Sequence, residues 1–302
     1  MVGIIGKGFG LYGYLPAFVE LGYQVGVLED SKTVIKSRSE LAHLSDNISY
    51  FSSERNLFEI CDKIVLATDP LRQESYVETL LNQYSIKNFF LEKPITVNPS
   101  NTQLLIKKLQ NHNTNFNVGF NFFYTVWFEN FKELILNKQS ADILIKWDFM
   151  AYHIKNDVDT WKKTTDKGGG LINFYGIHLI SILAAFDFDL IESKKYIGKD
   201  QIVLWKAIFV NHRTCKVEIS LNINSTEEGF SIYNNQDKYF LTHLKNPFSN
   251  DDLEKYKRDP RIDNLKQMIS SNNRNTYSSN VDLIQKTNQL LSKVLISRTV
   301  RS

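Results

Sequence analysis

The sequence predicts an α/β protein in two parts. A doubly wound parallel sheet comes first, and an α+β domain with a large, mostly antiparallel open sheet follows. Three observations support this. The 302 residues exceed the ~150 of a typical single domain. Up to about residue 119, short β-rich runs alternate with stretches of helical period, whereas beyond residue 120 the β-rich runs follow one another.

The first part alternates strand and helix, which is the order that buries a parallel sheet between two helix layers. Asn98, Ser100 and Asn101 are candidate caps for its last helix. The predicted strands are Val2–Ile5, Gln24–Leu28, Lys63–Ala67, Asn88–Leu91 and Asn115–Phe120, and the predicted helices are Leu11–Leu21, Ser31–Leu44, Leu71–Gln83 and Asn101–Gln110.

The second part has β-rich runs separated by Asn, Asp and Gly turn signals, which favours neighbouring antiparallel strands. A helix is predicted at Leu171–Phe186 after a run of three glycines, and a tail helix at about 279–297. We expect domains at 1–120 and 121–302, with a tail helix that could pack on the first domain. The predicted strands are Ala141–Met150, Gln201–Asn211, Thr214–Asn224, Phe230–Tyr233 and Tyr239–Leu244.

Composition argues against several classes of protein. Lys and Arg number 36 against 33 Asp and Glu, a net charge of +3 without a long basic stretch, so we expect no nucleic-acid partner. Cys61 and Cys215 lie far apart without a CxxC or Cys/His neighbour, which argues against a disulfide framework or a zinc site. The apolar stretch Leu179–Phe186 is far shorter than the ~20 residues of a membrane span. Because the chain enters a strand and a glycine loop at once, we expect a cytoplasmic protein with no membrane segment.

Two glycine patterns overlap after the first strand, GKGFGL at 6–11 and GFGLYG at 8–13. The second is the literal GxGxxG, but the first places a glycine at the strand-to-helix turn, where a dinucleotide-binding motif needs it. In that pattern Gly6 makes the tight turn and Gly8 lets the backbone approach a pyrophosphate at the helix N-terminus. Leu11 occupies the position at which the motif has its third glycine.

The second predicted strand ends in Glu29-Asp30, about 20 residues after the glycine loop. A carboxylate there can accept hydrogen bonds from a ribose diol and repels a 2′-phosphate, so NAD is favoured over NADP. Ser31 and Lys32 leave NADP possible. The alternative is a glycine turn in an α/β fold that binds no nucleotide.

Glu92-Lys93-Pro94 follows a predicted strand, at the sheet edge where open α/β folds bind ligands. A lysine beside a nicotinamide could hydrogen-bond a hydroxyl or carbonyl and help to carry its proton. Pro94 could fix the backbone, for example through a cis bond. The alternative is an ordinary exposed loop lysine.

Five ordered motifs carry a family resemblance over roughly residues 1–182. They are GIIGKGFGLYGYLPAF at 3–18, IVLATDP at 64–70, LEKP at 91–94, NVGFNFFY at 117–124, and Trp161-Lys162 followed by GGGLINFYGIHLI at 168–180. Together they resemble the glucose-fructose oxidoreductase / inositol dehydrogenase / MocA family. The resemblance implies an N-terminal Rossmann domain, a C-terminal α+β domain for substrate binding and oligomerisation, and an NAD(P)-dependent enzyme.

By motif position, the resemblance implies that His178 is the acid/base and that Lys93 orients and polarises the reacting oxygen. It also implies a sugar-like small-molecule substrate, no metal, and a homodimer or homotetramer. The implied substrate contacts are Tyr124, Trp161, Lys162 and Tyr175, and the implied cofactor contacts are Gly6, Gly8, Phe9, Gly10, Leu11, Glu29, Asp30, Thr68, Asp69, Glu92 and Lys93.

Several positions depart from this family pattern. Many relatives carry Asp or Asn four residues before the histidine, where this chain has Phe174. Asn173 would face about 140° away from His178 on an α-helix, whereas Tyr175 shares its face and could supply a hydroxyl. The other departures are Tyr14 for a histidine, Asp69 in the middle of a turn that reads Thr-Pro-Pro in the family, Phe123 for an arginine and Ser181 for an acid.

The leading hypothesis is hydride transfer to or from a secondary alcohol or ketone of a sugar or nucleotide-linked sugar. A second hypothesis is reduction of an imine or another conjugated small molecule. A third is a catalytically degenerate NAD-binding protein that serves as a sensor or assembly partner, which the departures at Phe174, Phe123 and Ser181 favour.

Overall fold

The computed structural model describes residues 1–138, 140–249, 259–271 and 276–301. The chain divides into two compact units. Unit 1 contains Met1–Asn121 and the segment Leu253–Asn280, and unit 2 contains Phe122–Asp252 and Val281–Ser302. The first crossing lies beside the expected boundary at residue 120. The chain then returns to unit 1 before its final helix, so the second unit is not the uninterrupted segment 121–302 that we expected.

Helices and strands are numbered in chain order. The strands are β1 (Val2–Ile5), β2 (Val25–Leu28), β3 (Ile48–Phe51), β4 (Lys63–Leu66), β5 (Asn88–Leu91), β6 (Asn115–Val118), β7 (Asp142–Met150), β8 (Asp189–Gly198), β9 (Gln201–Val210), β10 (Lys216–Asn222), β11 (Asn224–Asn234), β12 (Tyr239–Leu244) and β13 (Arg298–Arg301). The helices are α1 (Leu15–Glu20), α2 (Lys32–Ser37), α3 (Ser39–Ala42), α4 (Glu54–Ile60), α5 (Pro70–Gln83), α6 (Pro99–Asn111), α7 (Val126–Asn137), α8 (Tyr152–Lys155), α9 (Ile177–Ala185), α10 (Arg261–Ser270) and α11 (Val281–Ile296).

Unit 1 is built on a parallel sheet in the order β3-β2-β1-β4-β5-β6. Its central strand β1 is buried along its whole length, as expected for a strand covered on both faces. The strand order reverses between β1 and β4, and doubly wound sheets bind ligands at the carboxyl ends of the strands at such a point. The predicted doubly wound parallel sheet is confirmed.

The segment that returns to unit 1 packs α10 against α1. Leu265 and Met268 of α10 are fully buried, and Lys266 pairs with Glu20 of α1 with Nζ and Oε2 2.7 Å apart. These two charged residues are 246 positions apart in the chain. Local periodicity carries no information about such a partner, so the return of this segment to unit 1 could not be predicted from the sequence.

Unit 1 differs from the prediction in its local detail. The helix expected over Ser31–Leu44 is divided into α2 and α3, because Arg38 adopts an extended conformation with φ −109° and ψ 114°. Strand β3 and helix α4 were not predicted. Asn98 makes no side-chain capping bond to α6, and its carbonyl oxygen instead accepts the hydroxyl proton of Thr96 at 2.7 Å.

Unit 2 contains a mixed sheet in the order β12-β11-β7-β10-β9-β8-β13. The β7/β10 and β8/β13 pairs are parallel and the other pairs are antiparallel, which confirms the mostly antiparallel prediction. Val217, Ile219 and Leu221 alternate along β10 and are buried, so one face of the sheet forms the core of this unit. Strands β8 and β13 were not predicted.

The tail helix α11 belongs to unit 2, where it packs on α9. Its buried side chains include Leu283, Ile284 and Leu291, spaced as one helical face. The buried Nζ of Lys195 donates to the carbonyl oxygen of Leu295 at 2.6 Å, where a cation meets the negative end of the helix dipole. Helix α11 is therefore part of unit 2, and its expected packing on the first domain stays a prediction.

Along the described part of the chain, no helix is long and apolar enough to cross a bilayer. Cys61 and Cys215 are both buried free thiols. Burial raises the pKa of the Cys61 thiol to about 11, so this group is a poor nucleophile at neutral pH.

Candidate functional site

The turn between β1 and α1 has the geometry that a phosphate-binding glycine loop requires. Gly6 has φ +121°, and a Cβ there would lie 2.2 Å from the carbonyl oxygen of Ala67, just beyond β4. A side chain is therefore excluded at Gly6 by backbone conformation and by close contact. A Cβ on Gly8 would meet no atom within 4 Å, so this part of the loop is open to a ligand.

The helical segment begins directly behind Gly8, whose carbonyl oxygen accepts the N–H of Leu11 at 2.9 Å. A π-helical turn over Gly10–Tyr14 then leads into α1. A Cβ on Gly10 would lie 2.9 Å from Cγ2 of Ile4, so Gly10 allows the close helix–strand approach that the third glycine of the motif ordinarily provides. The departure at Leu11 is thus compensated one residue earlier.

Phe9 forms a wall of the same loop. A Cβ on Gly13 would lie 2.2 Å from a ring carbon of Phe9, which explains the additional glycine of the second pattern. The guanidinium carbon of Arg261 lies 4.0 Å from the centre of the Phe9 ring, a cation–π distance. The guanidinium of Arg261 also donates two hydrogen bonds to the carboxylate of Asp259, at 2.8 and 2.6 Å. No local pattern indicated Arg261, because it lies far along the chain.

Glu29 and Asp30 follow β2 within a short 3₁₀ turn, Glu29–Ser31. Lys7, from the glycine loop, places Nζ 2.7 Å from Oδ2 of Asp30, and both side chains are more than half exposed. A cation therefore stands beside the carboxylate that was expected to hold the ribose. This weakens the charge argument for NAD over NADP.

Thr68 and Asp69 lie in the turn after β4. Oδ1 of Asp69 accepts the N–H of Arg72 at 3.0 Å, and Pro70 occupies the first position of α5. The hydroxyl of Thr68 donates to the carbonyl oxygen of Asp69 at 3.2 Å. Asp69, which departs from the family pattern in this turn, thus caps α5.

Glu92 follows β5 and is held from the side of the glycine loop. The hydroxyl of Tyr14 donates to Oε1 of Glu92 at 2.9 Å, and a Cβ on Gly119 would lie 2.6 Å from that oxygen. Burial raises the pKa of the Glu92 carboxyl, while the charge of Lys93, the Tyr14 hydrogen bond and the charge of Arg261 oppose the rise. Tyr14 and Gly119 are functional candidates that the sequence analysis did not assign.

Lys93 is 7% exposed, so the alternative of an ordinary exposed loop lysine is wrong. The peptide bond between Lys93 and Pro94 is cis, in agreement with the expectation for this proline. The buried side chain of Gln73, from α5, hydrogen-bonds the main chain of Glu92 and Ile95 on either side of this bond. Gln73 was not singled out from sequence. The sequence feature that could have indicated Gln73 is a polar residue in the first turns of a helix that packs on a sheet.

In unit 2, the three consecutive glycines each have a structural reason. Gly168 has φ +81° and ends a 3₁₀ turn, and Gly170 has φ +82°. A Cβ on Gly169 would lie 2.1 Å from the carbonyl oxygen of Trp161. The turn Trp161–Lys163 therefore packs its backbone directly against the glycines.

His178 is 2% exposed at the second position of α9 and follows a π-helical turn over Leu171–Gly176. The N–H of Ile177 bonds to the carbonyl oxygen of Ile172, five residues back. The angle of about 140° between Asn173 and His178 holds for an ideal α-helix, and the wider π-helical turn reduces it. Asn173 is buried.

Aromatic rings surround His178. The Phe122 ring stacks on the imidazole with centres 4.7 Å apart, and the Phe248 ring meets it edge-on at 5.4 Å. The hydroxyl of Ser181 donates to the carbonyl oxygen of His178 at 2.9 Å. Ser181, which stands where relatives carry an acid, thus serves its own helix.

Phe174 brings together three of the predicted substrate residues. Its ring meets Trp161 edge-on at 5.5 Å and Tyr175 edge-on at 4.8 Å, and Nζ of Lys162 lies 4.9 Å from its centre. The position that carries Asp or Asn in many relatives is therefore the centre of an aromatic and cationic cluster.

Tyr124, the fourth predicted substrate residue, ends a 3₁₀ turn over Asn121–Tyr124 and is half-buried. Its neighbour Phe123 is buried and packs edge-on against Phe128 at 5.0 Å. Phe123 thus contributes to the core of unit 2.

His153, a buried residue that the sequence analysis did not single out, lies beside Tyr175 with ring centres 6.5 Å apart. Burial lowers the pKa of His153, the charges of Lys163 and Lys162 lower it further, and the side chain of Gln201 opposes them. Within residues 1–138, 140–249, 259–271 and 276–301, no three His, Cys, Asp or Glu side chains come together to hold a metal ion.

Solved oxidoreductases share the fold of the whole chain. The 3-ketoreductase KijD10 from Actinomadura kijaniata, in complex with NADP and TDP-benzene, matches with a TM-score of 0.70 at 12% identity, covering 100% of this chain and 98% of that one. The WlbA (WbpB) dehydrogenase from Thermus thermophilus, in complex with NAD and UDP-GlcNAcA, matches with a TM-score of 0.71 at 12% identity, with coverage of 100% and 96%. An oxidoreductase from Thermotoga maritima matches with a TM-score of 0.69 at 16% identity, with coverage of 98% and 95%.

No protein-family model and no curated protein matches this sequence. At 12–16% identity the structural likeness establishes the fold, a Rossmann-type unit with a second unit built on a mixed sheet. That architecture agrees with the family resemblance of the motifs, and it confirms the predicted fold class.

Proposed function

We propose that this chain is an NAD(P)-dependent oxidoreductase that transfers hydride to or from a secondary alcohol or ketone of a sugar or nucleotide-linked sugar. The glycine turn is the observation that carries the proposal. Gly6 cannot accept a side chain, Gly8 faces open space, and a helical segment begins directly behind them. Backbone amides at a helix N-terminus bind the phosphates of a dinucleotide in this way. The NADP and NAD complexes of KijD10 and WlbA support the same class.

The residues present fit a nicotinamide dinucleotide. The loop from Gly6 to Leu11 would hold the pyrophosphate, Glu29 and Asp30 the adenosine ribose, and Thr68 and Glu92 the nicotinamide half. When bound, NAD(P) accepts or supplies the hydride at C4 of the nicotinamide.

The proton chemistry is assigned to Lys93 and His178. When a carbon–hydrogen bond of the substrate gives up hydride, the hydroxyl proton must pass to a base, and His178 takes it. Lys93 donates a hydrogen bond to the same oxygen and stabilises its developing negative charge. Its burial strengthens that interaction, because a low dielectric screens charge less than water does.

The cluster around Phe174 is proposed to bind the substrate. Trp161 and Tyr175 offer aromatic faces on which a sugar ring can stack, and Lys162 can meet a phosphate or carboxylate. Tyr124 is proposed to complete the contacts. The complexes of KijD10 with TDP-benzene and of WlbA with UDP-GlcNAcA support a nucleotide-linked ligand.

The proposal is tested first by titrating the protein with NADH and NADPH and following nicotinamide fluorescence. Nucleotide-linked ketosugars are then added, with NADH deuterated on one or the other face of C4, and mass spectrometry detects deuterium in the product. Deuterium transfer from one face only is expected. Lys93→Ala should lower turnover by about 100-fold or more while NADH affinity stays within about threefold.

Lys87→Ala is the matched control, since Lys87 is exposed just before β5. Turnover by Lys93→Ala equal to that of Lys87→Ala would contradict the assignment of Lys93.

The side chains at two positions that differ from the family pattern favour a second candidate, an NAD-binding sensor or assembly protein without catalysis. Phe123 serves the core and Ser181 bonds to its own helix. Tight NADH binding without deuterium transfer to ketosugars would favour this candidate, whereas transfer to imines alone would favour imine reduction. The expected homodimer or homotetramer is part of the leading proposal and is checked by light scattering.

A further inference from the structure

A single buried side chain joins the turn after β4 to the turn after β5. Gln73 of α5 is fully buried. Its Oε1 accepts the N–H of Glu92 at 2.8 Å, and its Nε2 donates to the carbonyl oxygens of Glu92 at 2.8 Å and Ile95 at 2.9 Å. Its Nε2 also makes a longer contact with the carbonyl oxygen of Pro94, at 3.5 Å, and Glu92 and Ile95 flank Lys93 and Pro94 in the chain.

The start of α5 explains why Gln73 reaches this turn. Asp69 caps the helix through the N–H of Arg72, and the N–H of Gln73 bonds to the carbonyl oxygen of Asp69 at 2.9 Å. Helix α5 connects β4 to its parallel neighbour β5, so its first turns lie at the sheet edge where both strands end. The turn formed by residues 68–70 and the turn formed by residues 92–94, which are two separate motifs in the sequence, are thereby coupled.

The chemistry of this contact requires an amide. One group must accept from an N–H and another must donate to two carbonyl oxygens, and glutamine carries both within one planar group. Glutamate keeps the acceptor but has no donor when it is ionised. Methionine has nearly the same length and supplies neither. The contact therefore explains why a polar side chain is fully buried at this position.

Other contacts hold the same turn but do not bridge Lys93. Tyr14 binds the Glu92 carboxylate at 2.9 Å. After Pro94, the hydroxyl of Thr96 donates to the carbonyl oxygen of Asn98 and lies 2.8 Å from that of Thr102. Gln73, by contrast, has hydrogen bonds on both sides of the lysine.

We infer that Gln73 is a positioning residue for Lys93, because it fixes the main chain on both sides of the lysine and so sets where its ε-amino group lies. The inference rests on the proposed role of Lys93 in the reaction. When Gln73 is replaced by Met, the carbonyl oxygens of Glu92 and Ile95 lose this donor. The N–H of Glu92 keeps only its longer hydrogen bond to the carbonyl oxygen of Leu66, at 3.3 Å, and the turn rearranges to find other partners. A displacement of about 1 Å of a group at the reacting centre costs on the order of 100-fold in rate.

The test uses the purified full-length chain and a readout that needs no substrate. Gln73→Met and Gln73→Glu are treated with an amine-reactive acylating reagent, and mass spectrometry follows the rate at which Lys93 is labelled. We expect Lys93 to be labelled at least about tenfold faster in Gln73→Met than in the unmodified chain, since labelling of a buried amine requires local opening. Gln73→Glu retains the acceptor and keeps the variant series interpretable if Gln73→Met does not fold.

Gln83→Met is the matched control, because Gln83 is exposed at the end of the same helix. It should leave Lys93 labelling unchanged. Thermal unfolding of each variant separates positioning from general destabilisation, and labelling is measured well below every melting temperature.

Turnover provides the second readout. Both Gln73 variants should lower kcat by about 10- to 100-fold and leave NADH affinity within about threefold. Unchanged labelling of Lys93 in both variants would overturn the inference whatever their activity. Altered labelling in a chain that transfers no hydride would instead support the positioning contact and count against the proposed function.

Discussion

The hydroxyl of Tyr14 donates a hydrogen bond of 2.9 Å to Oε1 of Glu92, and Gly119 leaves the space in which the two groups meet. Tyr14 ends the turn that follows β1, while Glu92 follows β5, and β4 lies between these strands. The contact therefore fastens the glycine loop to the turn that carries Lys93. Both turns belong to unit 1, so this half of the proposed site is held together within one unit.

Tyr14→Phe should destabilise the chain by about 1–3 kcal/mol, the usual range for losing a hydrogen bond to a buried polar or charged group. The Tyr14 hydrogen bond lowers the pKa of Glu92 against the rise caused by burial, so it favours the ionised carboxylate. The stability that Tyr14→Phe loses should therefore be greater at pH 8.5 than at pH 5, as measured by urea unfolding. Tyr23→Phe, whose ring packs on Phe18, is the control and should show no such pH dependence. An equal loss at both pH values would contradict the assigned contact.

Two glycines of the same loop should respond oppositely to alanine. Gly6→Ala combines a positive φ with a contact of 2.2 Å to Ala67, and we expect a loss of about 3 kcal/mol or more. Gly8→Ala meets no atom within 4 Å, so its stability should stay within about 0.5 kcal/mol. Its NADH affinity should fall by about tenfold, because a methyl group would occupy the approach of the pyrophosphate. Full NADH affinity in Gly8→Ala would place the nucleotide elsewhere.

The ion pair between Lys7 and Asp30 should set the choice between NADH and NADPH. Lys7→Ala removes the cation that could meet a 2′-phosphate, and we expect NADPH affinity to fall by about tenfold with NADH affinity little changed. Asp30→Ala should have the reverse effect and improve NADPH relative to NADH. Fluorescence titration with both nucleotides measures the ratio. Because this pair is exposed, neither variant should change stability by more than about 1 kcal/mol. An unaltered affinity ratio in Lys7→Ala would exclude this cation from the ribose subsite.

His153 should make unit 2 sensitive to acid. Its folded-state pKa lies below the ordinary value of 6.5, chiefly because of burial. The group therefore contributes stability that is fully present above pH 6.5 and is lost as the pH falls through the folded-state pKa. Between pH 7.5 and 5.5, the free energy of unfolding of His153→Gln should fall by about 1 kcal/mol less than that of the unmodified chain, as measured by urea unfolding.

His212→Gln is the control for this measurement, because His212 is exposed in the same unit. It should retain the pH dependence of the unmodified chain. Parallel stability curves for His153→Gln and the unmodified chain would rule out His153 as the source of the acid sensitivity.

The predictions from sequence were strongest where one short segment carries all the required information. The glycine loop, the acidic residues after β2 and the turn Glu92-Lys93-Pro94 were all predicted from sequence, because strand-to-helix turns impose glycine, cap and proline requirements on adjacent residues. The π-helical turn before His178 was not predicted, since it changes the number of residues per turn without leaving a mark in the hydrophobic pattern. The sequence argument also left Asp69 unexplained, and its role as the cap of α5 became visible only with Arg72 in place.

Periodicity and turn residues were sufficient to predict the parallel class of the sheet in unit 1, the mostly antiparallel class of the sheet in unit 2 and the position of Lys93 at a strand end, although β3, β8 and β13 were missed. These features follow from interactions between residues close together in the chain. The partners of the glycine loop and of the lysine turn, among them Arg261 on Phe9, Tyr14 on Glu92 and Gln73 on Ile95, required the tertiary structure. Each is a contact between residues far apart in sequence, and such contacts depend on strand order and helix packing, which local patterns do not specify.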